Sequence, residues 1–215
     1  MYKAALFDLD GVVFNTEPQY SLFWESQFHL YYPGSECLAQ KIKGQTLVQI
    51  YDKYFNGKEK EQADITNRLN EFEQNMRFVY IDGYLDFIKD LRNHNLSTAV
   101  VTSSNKEKME NVYRNHHEFK SLFDVILTAE DFSKSKPDPE CYLKGASSLG
   151  FNPKECVGFE DSFNGLKSLK AAEMTVVGLA TTNTSDSINS YSDIVIKDYV
   201  NLDYEKMVEL ITQSH

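Results

Sequence analysis

Two acidic pairs stand where the chain could do chemistry. Asp8 and Asp10 lie in the run Leu6-Phe7-Asp8-Leu9-Asp10-Gly11, and Glu160-Asp161 follows the apolar run Glu155 to Phe159. Side chains two apart on an extended chain share a face, so Asp8 and Asp10 confront one small space, and Gly11 then permits a tight backbone path. Adding Glu160 and Asp161 crowds like charges together, which is unfavourable unless a cation sits among them. Carboxylate oxygens, completed by water and phosphate, suit magnesium, so the cluster implies Mg2+.

A carboxylate can attack phosphorus and form an aspartyl-phosphate that splits one hard displacement into two easier ones. Asp8 is the candidate nucleophile and Asp10 the general acid and base. Charge on the phosphoryl oxygens needs donors fixed in advance, and Thr102, with Ser103 and Ser104 beside it, and the Lys136 ammonium would supply them.

Strand ends must bring these distant residues together. Short apolar runs read as buried parallel strands: Ala4 to Leu9, Ser97 to Val101, Val125 to Leu127, Glu155 to Phe159, Thr175 to Leu179 and Ile194 to Ile196. Helical segments separate most of them, namely Tyr84 to Asn93, Lys106 to Asn115, Pro139 to Leu149 and Asn164 to Ala172. The alternation predicts an α/β, Rossmann-like doubly wound parallel sheet, with ligands beyond the carboxyl ends of its strands. From about Asn15 to Asp82 the alternation stops, and helical, aromatic-rich patterns (Pro18 to Tyr31, Ile65 to Val79) take over. This predicts an α/β core from residues 1–14 and 83–215 with a helical cap at 15–82; Pro18 opens the first cap helix and Asp82-Gly83 turns the chain back.

The 215 residues carry a formal net charge of −10, which disfavours a nucleic-acid partner, since such proteins concentrate Lys and Arg. Cys37, Cys141 and Cys156 are odd in number and widely spaced, as expected of reduced thiols. The N-terminal apolar run is too short for a signal peptide or membrane span, so a cytoplasmic protein with no membrane partner, monomeric or weakly dimeric, is expected.

In this order the segments resemble the four motifs of the haloacid-dehalogenase-like superfamily, in its phosphatase and β-phosphoglucomutase-like branch with a helical cap. Asp8-Leu9-Asp10-Gly11-Val12-Val13 with Thr16-Glu17 resembles the first motif and Val101-Thr102-Ser103-Ser104 the second. Lys136-Pro137-Asp138-Pro139 resembles the third, which favours Lys136 over Lys134, and Gly158-Phe159-Glu160-Asp161-Ser162 with Asn164-Gly165 the fourth. The resemblance implies that Asp8, Glu160 and Asp161 bind magnesium through side chains, while Asp10 contributes its backbone carbonyl and keeps its carboxylate for proton transfer.

It also implies that the cap supplies specificity, with Thr16, Tyr20, Lys43, Gly44 and Leu47 as substrate-binding candidates. β-Phosphoglucomutases have a His where this chain has Tyr20, and an Arg three positions beyond the cap-loop Gly, where Leu47 follows Gly44. Without that Arg a bidentate clamp for a second phosphate is missing. The expectation is therefore a phosphatase acting on a small phosphorylated metabolite; the alternative is a phosphomutase moving phosphate between sugar hydroxyls. Tyr20, Phe23, Trp24, Phe28 and Tyr31 recur near helical spacing, which reads first as cap core.

Overall fold

β1 (Ala4–Phe7) is the fully buried tetrapeptide Ala-Ala-Leu-Phe, an apolar run of the kind that fits a strand covered on both faces. The structure, a computed structural model, describes residues 2–35 and 38–214. Cys37 lies outside them; Cys141 and Cys156 are free and buried.

β1 pairs in parallel with β2 (Ser97–Val101) on one side and β4 (Cys156–Glu160) on the other. β3 (Val125–Leu127) extends the sheet beyond β2, and β5 (Thr175–Leu179) and β6 (Ile194–Ile196) extend it beyond β4. Among the described residues this makes a six-stranded sheet of order β3-β2-β1-β4-β5-β6. The strand order reverses between β1 and β4, and the crevice beyond the carboxyl ends there is where such sheets bind ligands.

Alternation along each strand divides the core into two layers. Ala5, Phe7, Val100, Val157 and Phe159 face one side, packed with α5 (Tyr84–Asn93), α6 (Lys106–Asn115) and α10 (Tyr204–Gln213). Phe7 and Phe159 stack there with centroids 4.5 Å apart. Ala4, Leu6, Ala99, Val101 and Cys156 face the other side, under α7 (Glu140–Leu149), α8 (Phe163–Ala171) and α9 (Ser185–Ile188).

Between β1 and α5 the chain forms α1 (Glu17–Tyr31), α2 (Leu38–Lys41), α3 (Leu47–Tyr54) and α4 (Glu59–Gln74). These helices bury a cluster of their own around Phe23, Trp24, Phe28, Ile50, Phe55, Ile65 and Leu69. The aromatic stripe of α1 is thus cap core, as its spacing suggests. α3 starts at a capping box in which Thr46 Oγ1 accepts from Gln49 N–H and the Gln49 side chain accepts from Thr46 N–H.

Element edges differ from the sequence reading in ways that matter locally. β1 stops at Phe7 rather than Leu9, because a bend at Leu9 turns the chain toward Gly11, whose φ is +73°. The helix expected over Ile65 to Val79 is α4, which starts at Glu59 and ends at Gln74. Residues 76–81 instead run back along the core, where Val79 accepts from Asn15 N–H and Ile81 donates to Val13. α2 and α3 carry no long periodic pattern and are absent from the sequence reading. Among the described residues no helix is long and apolar enough to cross a membrane.

Candidate active site

Asp8 follows the last residue of β1, Glu160 is the last residue of β4, and Thr102 follows β2. Lys136 comes from the segment between β3 and α7 and is buried, with Nζ 2.6 Å from Asp8 Oδ1, 2.7 Å from Glu160 Oε1 and 3.2 Å from the Val101 carbonyl. One ammonium thus ties three strand ends together. Lys134, the rival, is 68% exposed and reaches only Asp138.

Glu160 is held on both oxygens. Oε1 accepts from Lys136 and from the Tyr142 hydroxyl at 2.8 Å; Oε2 accepts from the N–H groups of Asp161 and Ser162 and from Ser162 Oγ. Gly165 leaves room for this carboxylate, since a Cβ there would lie 1.8 Å from Oε1. Gly11 does the same for Asp161, whose Oδ2 would be 2.1 Å from a Cβ; Thr182 Oγ1 donates to that oxygen.

Asp8, Glu160 and Asp161 each bring an oxygen within 4.8 Å of the others. Burial pushes the Asp8 carboxyl up to about 7, with Lys136 opposing and Glu160 and Asp10 adding to the rise. Burial, then Glu160, Glu17 and Asp8, drives Asp161 well above the ordinary carboxylate range. Crowded hard oxygens with too little positive charge among them fit a magnesium ion. Lys136 is held charged: burial alone would lower it, but Asp8 and Glu160 outweigh that.

Asp10 is oriented differently from Asp8. Its Oδ1 accepts from Thr16 Oγ1 at 2.6 Å, and its Oδ2 accepts from Ser104 Oγ at 3.1 Å and from Lys108 Nζ at 2.5 Å. Burial pushes its carboxyl up, but Lys108, Thr16 and Ser104 together leave it below the ordinary value. Thr102 Oγ1 accepts from Ser104 N–H at 3.0 Å, shaping the turn after β2, while Asn105 caps α6 by accepting from Lys108 N–H. Ser103 is exposed at the cavity rim.

A cavity of about 390 Å³ lies between this edge and the cap. All the cap candidates except Thr16 line it: Tyr20, Lys43, Gly44 and Leu47, together with Glu17, Trp24, Asn70 and Glu73. Thr16 is buried against Asp10 instead. The Tyr20 hydroxyl donates to Glu73 Oε1 at 2.6 Å. Several hydrogen bonds seat the cap on the core, among them Asn164 Nδ2 to the Gly44 carbonyl, Lys43 Nζ to the Thr182 carbonyl and Gln49 Nε2 to the Lys136 carbonyl. Gly44 has a φ of +72°, and a Cβ there would lie 2.6 Å from Ser162 Cβ, so this contact needs glycine twice over.

The model of the haloacid dehalogenase-like hydrolases matches residues 5–179. The chain belongs to the haloacid dehalogenase-like hydrolases. Among curated proteins it is 29% identical over 203 residues to validoxylamine A 7'-phosphate phosphatase of Streptomyces hygroscopicus subsp. limoneus, covering 92% of this chain and 94% of that protein. It is 27% identical over 195 residues to the β-phosphoglucomutase of Bacillus subtilis, covering 82% and 83%. The crystal structure of a family IA, variant 3 hydrolase from Entamoeba histolytica superposes with a TM-score of 0.85 over 99% of this chain and all of that one, at 24% identity. The fold is that of the haloacid dehalogenase-like hydrolases, and phosphoric monoester hydrolysis is the activity this membership brings.

Sequence reasoning missed Lys108, Tyr142, Thr182 and Glu73, and gave Glu17 no role beyond its place in the first motif. Lys108 had a signal: Lys108, Met109, Asn111 and Val112 form one buried face of α6, so a Lys and an Asn share a stripe with apolar residues. Such placement calls for buried partners. Tyr142 and Thr182 reach the carboxylates from α7 and from the loop after β5, and their neighbours in sequence carry no pattern that sets them apart.

Proposed function

We propose that this chain is a magnesium-dependent phosphatase that takes the phosphoryl group of a small monophosphate ester, such as a sugar phosphate, onto Asp8 and passes it to water. The Lys136 bridge between Asp8 and Glu160 carries the reading, because it sets one carboxylate against a cation at the mouth of the reversal point between β1 and β4.

Asp8, Asp161 and Glu160 would hold the magnesium, with the Asp10 backbone carbonyl; bound there, it supplies charge that offsets repulsion between phosphate and carboxylate. Asp8 Oδ2 accepts no hydrogen bond from the described residues and is the oxygen free to attack. Lys136, the Thr102 hydroxyl and the N–H groups after β2 would bind the equatorial phosphoryl oxygens. Asp10 would give a proton to the departing alcohol and later take one from water. The cap would exclude other water while Gly44 rests on Ser162.

Water rather than a second sugar hydroxyl is the acceptor in this reading. Among the described residues no Arg lines the cavity, Leu47, the first residue of α3, stands where a second-phosphate clamp would be, and Lys43 is turned to the Thr182 carbonyl. Monophosphates should therefore outcompete bisphosphates.

The experiment is phosphate release over a panel of sugar and polyol phosphates, with and without magnesium. Release should require magnesium and fall on the order of 10³-fold or more in Asp8→Asn. Isomerised sugar phosphate formed faster than free phosphate would overturn the phosphatase reading in favour of a mutase.

A further inference from the structure

A second buried cation stands at the cavity, outside the set of groups just described. Lys108 is 2% exposed, and a buried ammonium is costly unless paired. Its partner is Asp10 Oδ2 at 2.5 Å, and its Nζ lies 4.8 Å from the centroid of the Tyr20 ring. Tyr20 is fixed in turn by its bond to Glu73, whose backbone carbonyl accepts from Asn111 Nδ2, one turn along α6 from Lys108, at 2.9 Å. Lys108 is thus walled in on the cap side and directed at one carboxylate.

Three donors, Thr16, Ser104 and Lys108, converge on the two oxygens of Asp10. Donors from three segments thus fix the direction of both oxygens of this carboxylate, which lines the cavity.

We infer that Lys108 is a positioning residue: it holds the Asp10 carboxylate in the direction from which it takes the proton of the water that releases phosphate from Asp8. The inference rests on the two-step reading above. In the first step the Asp8 Oδ–P bond forms, the ester O–P bond breaks, and the leaving alcohol takes a proton from Asp10. In the second, a water O–P bond forms, the Asp8 Oδ–P bond breaks with its electron pair returning to Asp8, and the water's proton passes to Asp10. Asp10 serves in both steps, and Lys108 aims it.

A p-nitrophenyl ester separates the steps, because nitrophenolate leaves without being protonated. With magnesium present, Lys108→Met should lower kcat for p-nitrophenyl phosphate about tenfold or more while kcat/KM stays within about threefold. Rapid mixing should show a burst of nitrophenolate near one per active enzyme, and Lys108→Arg should recover part of kcat. Should the methionine variant fail to fold, Lys108→Gln is measured against the same expectations.

Equal loss in kcat and kcat/KM would overturn the inference, since Lys108 would then bind phosphate or merely support the fold. An unchanged kcat would overturn it too. Quenched wild-type enzyme carrying no hydroxylamine-sensitive phosphate would overturn the two-step reading itself, and the role of Lys108 with it.

Discussion

The core edge and the cap face each other across one cavity and are built on different principles. At the core edge every carboxylate is bound to groups from distant segments: Asp8 to Lys136, Glu160 to Lys136 and Tyr142, Asp161 to Thr182, Asp10 to Lys108. Positions there follow from strand ends, which the sheet fixes. The cap has an aromatic cluster of its own and meets the core through hydrogen bonds, several of them to backbone carbonyls, and through Tyr20 and Phe72 packed against the core cluster. The carboxylates are thus fixed by groups from several strand ends, whereas the cap has an apolar cluster of its own.

The sharpest test of that contrast removes the shared cation. Lys136→Met leaves Asp8 and Glu160 buried without their partner, which should cost about 3–5 kcal/mol and lower Tm by about 10 °C, with activity falling at least as far as for loss of one oxyanion donor, about 10²-fold. Calorimetry and phosphate release measure the two effects.

On the cap side, Gly44→Val places a Cβ against Ser162 and forces a branched residue to a positive φ. kcat/KM should fall about tenfold, through a docking cost near 1–2 kcal/mol, while Tm moves by only a few degrees. A fall in Tm as large as that of Lys136→Met would dissolve the distinction between the two regions.

The smallest effect concerns pH. Asp8 is raised by burial to about 7 from 3.8, so between these values the folded chain holds a proton that the unfolded chain has lost. Its contribution to stability is therefore full below about pH 4 and declines as pH rises through 7. Magnesium needs the deprotonated oxygens, so the gain in Tm from added magnesium should be larger at pH 8 than at pH 5, as thermal scans at both would show. An equal gain at both would place the ion away from Asp8.

Most of the core was readable from sequence because its signals are local. Five of the six strands end within one residue of the expected positions, and the sheet keeps each strand end beside its neighbour. Asp10 was only half readable. Spacing put it beside Asp8, but the bend at Leu9 and the donors Thr16, Ser104 and Lys108 turn its carboxylate to a separate cation. That depends on a long side chain reaching across from α6, which periodicity cannot convey. The cap was readable as helical but not as four helices, since α2 and α3 are too short for a repeating pattern and are held by tertiary packing and the Thr46 box.

Asp8 and Lys136 are 128 residues apart in sequence, and the third member of their network arrives only when β4 inserts beside β1. During synthesis the N-terminal half, cap included, can collapse around its own aromatic cluster while Asp8 still lacks both partners. A nascent or truncated chain ending before Glu160 would hold Asp8, the proposed nucleophile, without this network and is expected to be inert. The Lys136 network would thus form only once β4 has joined β1, long after the residues around Asp8 have been made.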